Sequence, residues 1–287
     1  MASTSISFLS ELEKAQTTSM VFLMSAFTRN RTDGYKPLFF LFCLFALGWI
    51  TVLLYAGGMT TSIKAGMAFL DWPLSNGSVN PAGWLTESDK MAEHSHRLLG
   101  MKIGLLSIGL FLWTYLRESR DWVRTLARVL LLVVILQGLL GGARVRFDQL
   151  NIMSEHNLVA QSFAVVHACG AMVVLGILVT LTLASTRRWI EASAGLNVQQ
   201  PLGVKRWGII ATVAIFLQIL VGAIMRHADA GLALVKFPMS TATTWLPTFW
   251  NFDVSVHFAH RIGAILVTVI LLAVSYTHLR AHETFGY

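Results

Sequence analysis

Apolar and polar positions along this chain fall in long blocks instead of alternating at short range. Apolar runs lie near 38–57, 98–116, 126–143, 157–184, 207–225 and 254–275. As helices rising about 1.5 Å per residue, runs of this kind can cross a hydrocarbon core of ~30 Å. A spanning segment must satisfy its own backbone hydrogen bonds, so each run reads as a helix. Composition agrees: 55% of residues are hydrophobic and only 13% charged, and mean hydropathy is +0.62. That is too little polar side chain to cover a soluble globule of this length. The chain reads as an all-α membrane protein.

The formal charge of +7 does not point to a nucleic acid, because the basic residues are dispersed among connections and form no stripe with interleaved aromatics. Topology explains them better. With the N-terminus in the cytoplasm, Lys14, Arg29, Arg31, Lys36, Arg117, Arg120, Arg124, Arg128, Arg187, Arg188, Lys205 and Arg206 lie inside. The longer outer connections keep Lys64, Lys90, Arg144, Arg146, Arg226 and Lys236 as ordinary loop charges, which is the positive-inside asymmetry. Cys43 and Cys169 each fall within an apolar run and read as small core residues. The stretch MVFLMSAFT is too short to span, and Arg29 and Arg31 follow it where a signal peptide would carry basic residues in front. The N-terminus is also no Arg-rich transit segment, so a bacterial plasma membrane is expected over a mitochondrial inner membrane.

The chain contains an internal repeat. GGMTTSIKAGMAFLDWP, residues 57–73, lies 165 positions before GAIMRHADAGLALVKFP, residues 222–238. EHSHR, ending on Arg97, precedes HFAHR, ending on Arg261, by 164. The repeated unit is a helix, a long outer loop closed by WP or FP, and a helix opened by HR. Copies about four spans apart predict tandem four-helix-bundle repeats related by an axis along the membrane normal, eight helices in all, of which this sequence supplies six. The corresponding organisation is a cytoplasmic segment over 1–37, a first half over 38–184, a cytoplasmic linker over 185–206, part of a second half over 207–275, and a tail over 276–287 that is expected not to be native.

Ionisable groups near hydrocarbon are costly and mark function. His96 and His260 are repeat equivalents, and His156 opens the fourth apolar run at a similar depth. Two histidines from facing helices of a bundle can supply axial nitrogens to a heme. Zinc is less apt, since no second set of Cys, His or carboxylate ligands converges. Arg97 and Arg261 suit bidentate contacts to heme propionates; the alternative is that both snorkel to the interface. His167, further into the fourth run, competes with His156. His227 reads as a solvated loop residue, and His257, one turn before His260, reaches the same cofactor or substrate. Glu93, one turn before His96, can move protons or stabilise developing positive charge, or merely complement the helix dipole. The second copy places His257 where the first has Glu93.

The blocks ExxHR at Glu93 to Arg97, AGMAFLDWP, AGLALVKFP and HxxHR closing on Arg261 resemble the heme A synthase family, over about residues 40–275. The resemblance implies eight helices in two pseudo-symmetric halves and oxidation of the C8 methyl of heme O to the formyl of heme A by successive hydroxylations. It also implies a heme b prosthetic group and a role in cytochrome oxidase assembly. Carried onto this chain, it makes His96 and His156 heme ligands of the first half and Glu93 the catalytic acid. His260 becomes one ligand of the second half, its partner expected on an eighth helix. Thr61 stands where many members have arginine, and the first loop lacks the cysteine pair of some bacterial members. The implied partners are heme O, heme O synthase, oxidase assembly factors, an electron acceptor and the lipid membrane; self-association is left open. The competing readings are an electron-transfer b-type cytochrome and a transporter.

Overall fold

The computed structural model describes residues 34–150, 158–195 and 202–284. Among these the regular elements are helices: α1 Pro37–Ser62, α2 Ser88–Arg117, α3 Asp121–Leu150, α4 Leu158–Ala184, the short α5 Arg187–Gly195, α6 Leu202–His227 and α7 Phe252–Thr284, with a 3₁₀ turn at Ala230–Leu232. Six of them are long and apolar enough to cross a membrane. The chain is a multi-pass membrane protein.

Several helices run past their apolar stretches. Arg144, Arg146 and Arg226, expected to be loop charges, lie inside α3 and α6, and His227 is the final, half-buried residue of α6 instead of a solvated loop residue. Hydropathy marks where a helix leaves hydrocarbon, not where its backbone stops winding. Residues 143–150, ARVRFDQL, contain no Gly or Pro to end the helix.

The described residues group into two compact units. The first takes residues up to Thr60, His94–Ile135 and Val174–Gly195. Phe39, Cys43, Ala46, Ile50 and Leu53 recur every three or four positions along α1, a helical stripe. They pack with Ile103 and Leu110 of α2, Val123, Leu130 and Val134 of α3, and Val174, Ile177, Leu178 and Leu181 of α4. Gly109 lets the Phe42 ring come against α2, since a Cβ there would sit 2.8 Å from Phe42 Cζ.

At the α2–α3 turn the buried Glu118 accepts a bond from Arg120 Nε at 2.9 Å and stands 3.8 Å from Lys36 Nζ. Arg120 Nη1 donates to the Ala184 carbonyl at 2.8 Å and Lys36 Nζ to the Arg117 carbonyl at 2.6 Å, so one carboxylate ties three helices together. Burial alone would push the Glu118 carboxyl up, but the Arg120 hydrogen bonds and the Arg120 and Lys36 charges outweigh it and hold it below its usual value. Its contribution is therefore complete above the ordinary carboxylate pKa and fades as pH falls through the lowered one. Glu118→Ala is expected to destabilise the solubilised protein by about 3 kcal/mol at neutral pH, read as a drop in thermal midpoint; an unchanged midpoint would show the network to be idle.

The second unit takes Thr61–Glu93, Leu136–Val173 and Leu196–Tyr287. It holds both outer loops, and they repeat each other in backbone. Lys64 and Asp229, equivalent by 165 positions, share a left-handed φ of 55° and form an exposed ion pair at 3.3 Å. Trp72–Pro73 and Phe237–Pro238 are both cis. The first loop carries its own hairpin: Ser75 and Ser78 exchange backbone bonds at 3.0 and 3.1 Å around Asn76 and Gly77, both at positive φ. The Asp71 carboxylate accepts both turn N–H groups at 2.7 Å. The Trp72 ring seats on Gly142 of α3, where a Cβ would meet it at 2.5 Å.

Candidate functional site

Both HR blocks lie inside helices. α2 begins at Ser88 and α7 at Phe252, where the Asn251 side chain caps the Val254 N–H at 2.9 Å. His96 and His260 are each eight residues in, about 12 Å along the axis. Each ring rests on a glycine one helix earlier. A Cβ on Gly57 would stand 2.8 Å from His96 Cε1 and 3.2 Å from its Nδ1; on Gly222 it would stand 2.8 Å and 3.2 Å from the same atoms of His260. Gly57 and Gly222 are themselves repeat equivalents, so the same glycine-backed imidazole is built twice. Only a residue without a side chain admits a ring this close to a helix backbone.

Glu93 and His257 also correspond. Both are buried, and each engages the outer loop of its own repeat at the same place. Glu93 Oε2 accepts the Phe69 N–H at 3.0 Å. His257 Nδ1 accepts the Leu234 N–H at 3.3 Å in one tautomer, or donates to the Ala230 carbonyl at 3.1 Å in the other. The scaffold is common to both copies of the repeat, but the first holds a carboxyl where the second holds an imidazole. Arg261 donates from Nη2 to the Leu234 carbonyl at 2.6 Å and from Nη1 to the Met239 carbonyl at 3.3 Å, with its guanidinium 5.8 Å from the Phe237 ring. Arg97 is half-buried directly after His96.

His156 lies outside the described residues. Its rival His167, on α4, has its Nδ1 buried with no hydrogen-bond partner among the described residues. A buried imidazole nitrogen without a partner in a dry setting is available to a metal. Sequence reasoning missed two further polar groups. Gln218 of α6 touches His260, and Gln137 of α3 packs onto Gly170 of α4. Their signal was a lone amide inside an apolar helix.

These features fit a heme. Among the described residues no three His, Cys, Asp or Glu side chains group in a way that could hold a bare ion. A heme iron already has four porphyrin nitrogens and asks the protein only for single axial imidazoles. The two glycine cradles and the bare nitrogen of His167 present imidazoles singly.

Comparison with known proteins gives the same direction. The family described as Cytochrome oxidase assembly protein matches residues 40–286. Three proteins named Heme A synthase are similar to this chain. That of Shouchella clausii is 31% identical over 233 residues, covering 79% of this chain and 71% of the relative. That of Bacillus licheniformis is 30% identical over 249 residues, covering 83% and 76%. That of Symbiobacterium thermophilum is 28% identical over 242 residues, covering 82% and 73%. The match runs through both glycine-backed imidazoles and the loops above them, and the chain belongs to the cytochrome oxidase assembly protein family.

Proposed function

We propose that this chain is a heme A synthase, a membrane oxidoreductase that oxidises the C8 methyl of heme O to a formyl group and so supplies heme A for cytochrome c oxidase. The observation that carries the reading is the duplicated glycine-backed histidine with unlike neighbours, Glu93 in one copy and His257 in the other. Matched imidazoles suit two heme-sized sites, and the unlike neighbours suit one site that does chemistry and one that does not. His96 and His260 act as axial ligands of their halves. The second histidine of the first half is His156 or His167. Arg97 and Arg261 face the propionates, Arg261 from a guanidinium already braced by loop carbonyls.

Heme b, when bound, supplies the one-electron redox chemistry that oxidation of a methyl group needs. The protein's own residues do the rest. Turning a methyl into a formyl takes up the oxygen of a water and releases protons as well as electrons, and Glu93, a buried carboxyl, takes and passes a proton at its oxygens. Its bond to the Phe69 N–H also ties the first outer loop to the start of α2. The electrons leave to an acceptor in the membrane.

The test is to express the chain in cells that make heme O and no heme A, then extract and identify the hemes. Heme A in the extract is the expected result. Heme O alone would overturn the reading and leave an electron-transfer cytochrome.

A further inference from the structure

We infer that Gln218 is a positioning residue for His260, its amide fixing the orientation of the imidazole through a hydrogen bond, with Gly263 as the notch that admits it. The inference rests on the reading of His260 as a heme ligand.

Gln218 is a single amide within AIFLQILVG of α6. Its Nε2 donates to the His260 backbone carbonyl at 2.8 Å and lies 3.0 Å from His260 Nδ1. It therefore bridges the backbone and the ring of one residue, which restricts rotation about the bonds joining them. One turn further along α7, a Cβ on Gly263 would fall 2.1 Å from Gln218 Oε1, and one turn further along α6, a Cβ on Gly222 would fall 2.8 Å from His260 Cε1. Both glycines are what let amide and ring lie together: Gly222 under the ring, Gly263 under the amide.

The fold does not need this amide. The first repeat has Leu53 in place of Gln218 and Leu99 in place of Gly263, and Leu53 packs there in a buried apolar cluster against which Leu99 lies. A leucine thus fills the position, and a polar group in a membrane helix is retained for a partner. Here that partner is the imidazole.

The arrangement also recurs between α3 and α4. Gln137 and Gly141 keep the four-residue spacing of Gln218 and Gly222, and His167 and Gly170 the three-residue spacing of His260 and Gly263. A Cβ on Gly170 would fall 1.9 Å from Gln137 Nε2, and one on Gly141 3.5 Å from His167 Cε1. The spacing of glutamine, histidine and two glycines is thus common to both places, but among the described residues only Gln218 makes the hydrogen bond to its histidine.

An imidazole that binds metal through one nitrogen directs the other to a hydrogen-bond partner, which fixes tautomer and ring angle. As placed, the Gln218 NH₂ donates to the carbonyl and to Nδ1, so Nδ1 accepts; when the other ring nitrogen takes a metal, Nδ1 carries the proton and the amide turns its oxygen to accept it.

The test is hemin titration of the purified full chain, with EPR of the bound heme and a thermal melt. Gln218→Leu is expected to weaken the His260-dependent binding by about 10- to 100-fold and to shift its EPR signature, with the melt unchanged. Gly263→Ala keeps the amide but occupies its seat, and is expected to give the same shift. Wild-type affinity and EPR in Gln218→Leu, with His260→Ala still losing the heme, would overturn this inference alone. If His260→Ala changes neither, the ligand reading beneath it fails too.

Discussion

Glu93→Gln is expected to lower conversion of heme O by about 10²- to 10⁴-fold, the range a positioned acid or base contributes, while heme content stays near that of the unaltered protein. Gln is the informative substitution. Its amide oxygen can still accept the Phe69 N–H that Glu93 holds at 3.0 Å, so the loop stays docked and only the ability to take up a proton is lost. Glu93→Ala removes the loop bond as well. At 4% exposure, it leaves a buried N–H without its acceptor, a further cost of about 1–3 kcal/mol. If Glu93 served only to hold the loop, Gln would convert heme O normally and Ala would not. Measuring heme A formed per bound heme in the two variants separates these outcomes. His257→Glu asks the converse question, since it puts a carboxyl at the equivalent place in the second repeat.

The second large effect comes from one methyl group. Gly57→Ala and Gly222→Ala each put a Cβ 2.8 Å from an imidazole Cε1, closer than real carbon contacts allow, so the ring must move. The ring is the far end of a side chain, and the helix can keep its course; the cost to folding is that of modest overpacking, about 1–3 kcal/mol. A displaced ring no longer presents its nitrogen along the same line, and heme affinity is expected to fall about 10- to 100-fold in the affected half. Gly58 is the control: nothing lies within 4 Å of its would-be Cβ, and Gly58→Ala is expected to retain heme. Equal heme content in the Gly57 and Gly58 variants would show that the cradle does not position a ligand.

What the sequence made legible follows from which forces act locally. Hydropathy alone located six spans, because a bilayer demands long apolar helices. The repeat placed Glu93 and His257 at one position and His96 and His260 at another, and the structure keeps both equivalences, the first through the Phe69 and Leu234 N–H groups and the second through matching distances from Gly57 and Gly222. Helix ends were less legible: Arg144, Arg226 and His227 leave the apolar run but remain helical, since winding continues past the membrane boundary. Residue depth along the sequence favoured His156, which lies outside the described residues, and the buried, unpartnered nitrogen of His167 is a property of packing that no spacing rule reports. Gln218 and Gln137 were missed for the same reason. Each reads as one polar letter in an apolar run, and its meaning depends on a glycine more than thirty residues away. Arg261 was read as a propionate partner; its bonds to the Leu234 and Met239 carbonyls depend on how the second loop folds, which the motif alone does not specify.

The central claim is that glycine-backed imidazoles at equivalent positions of a duplicated helix pair hold heme iron. The most direct measurement is heme per polypeptide in the purified chain from heme-replete cells, beside His96→Ala and His260→Ala. The account predicts a coloured protein from which each substitution removes heme. A colourless protein, or full heme retention in both variants, would contradict it.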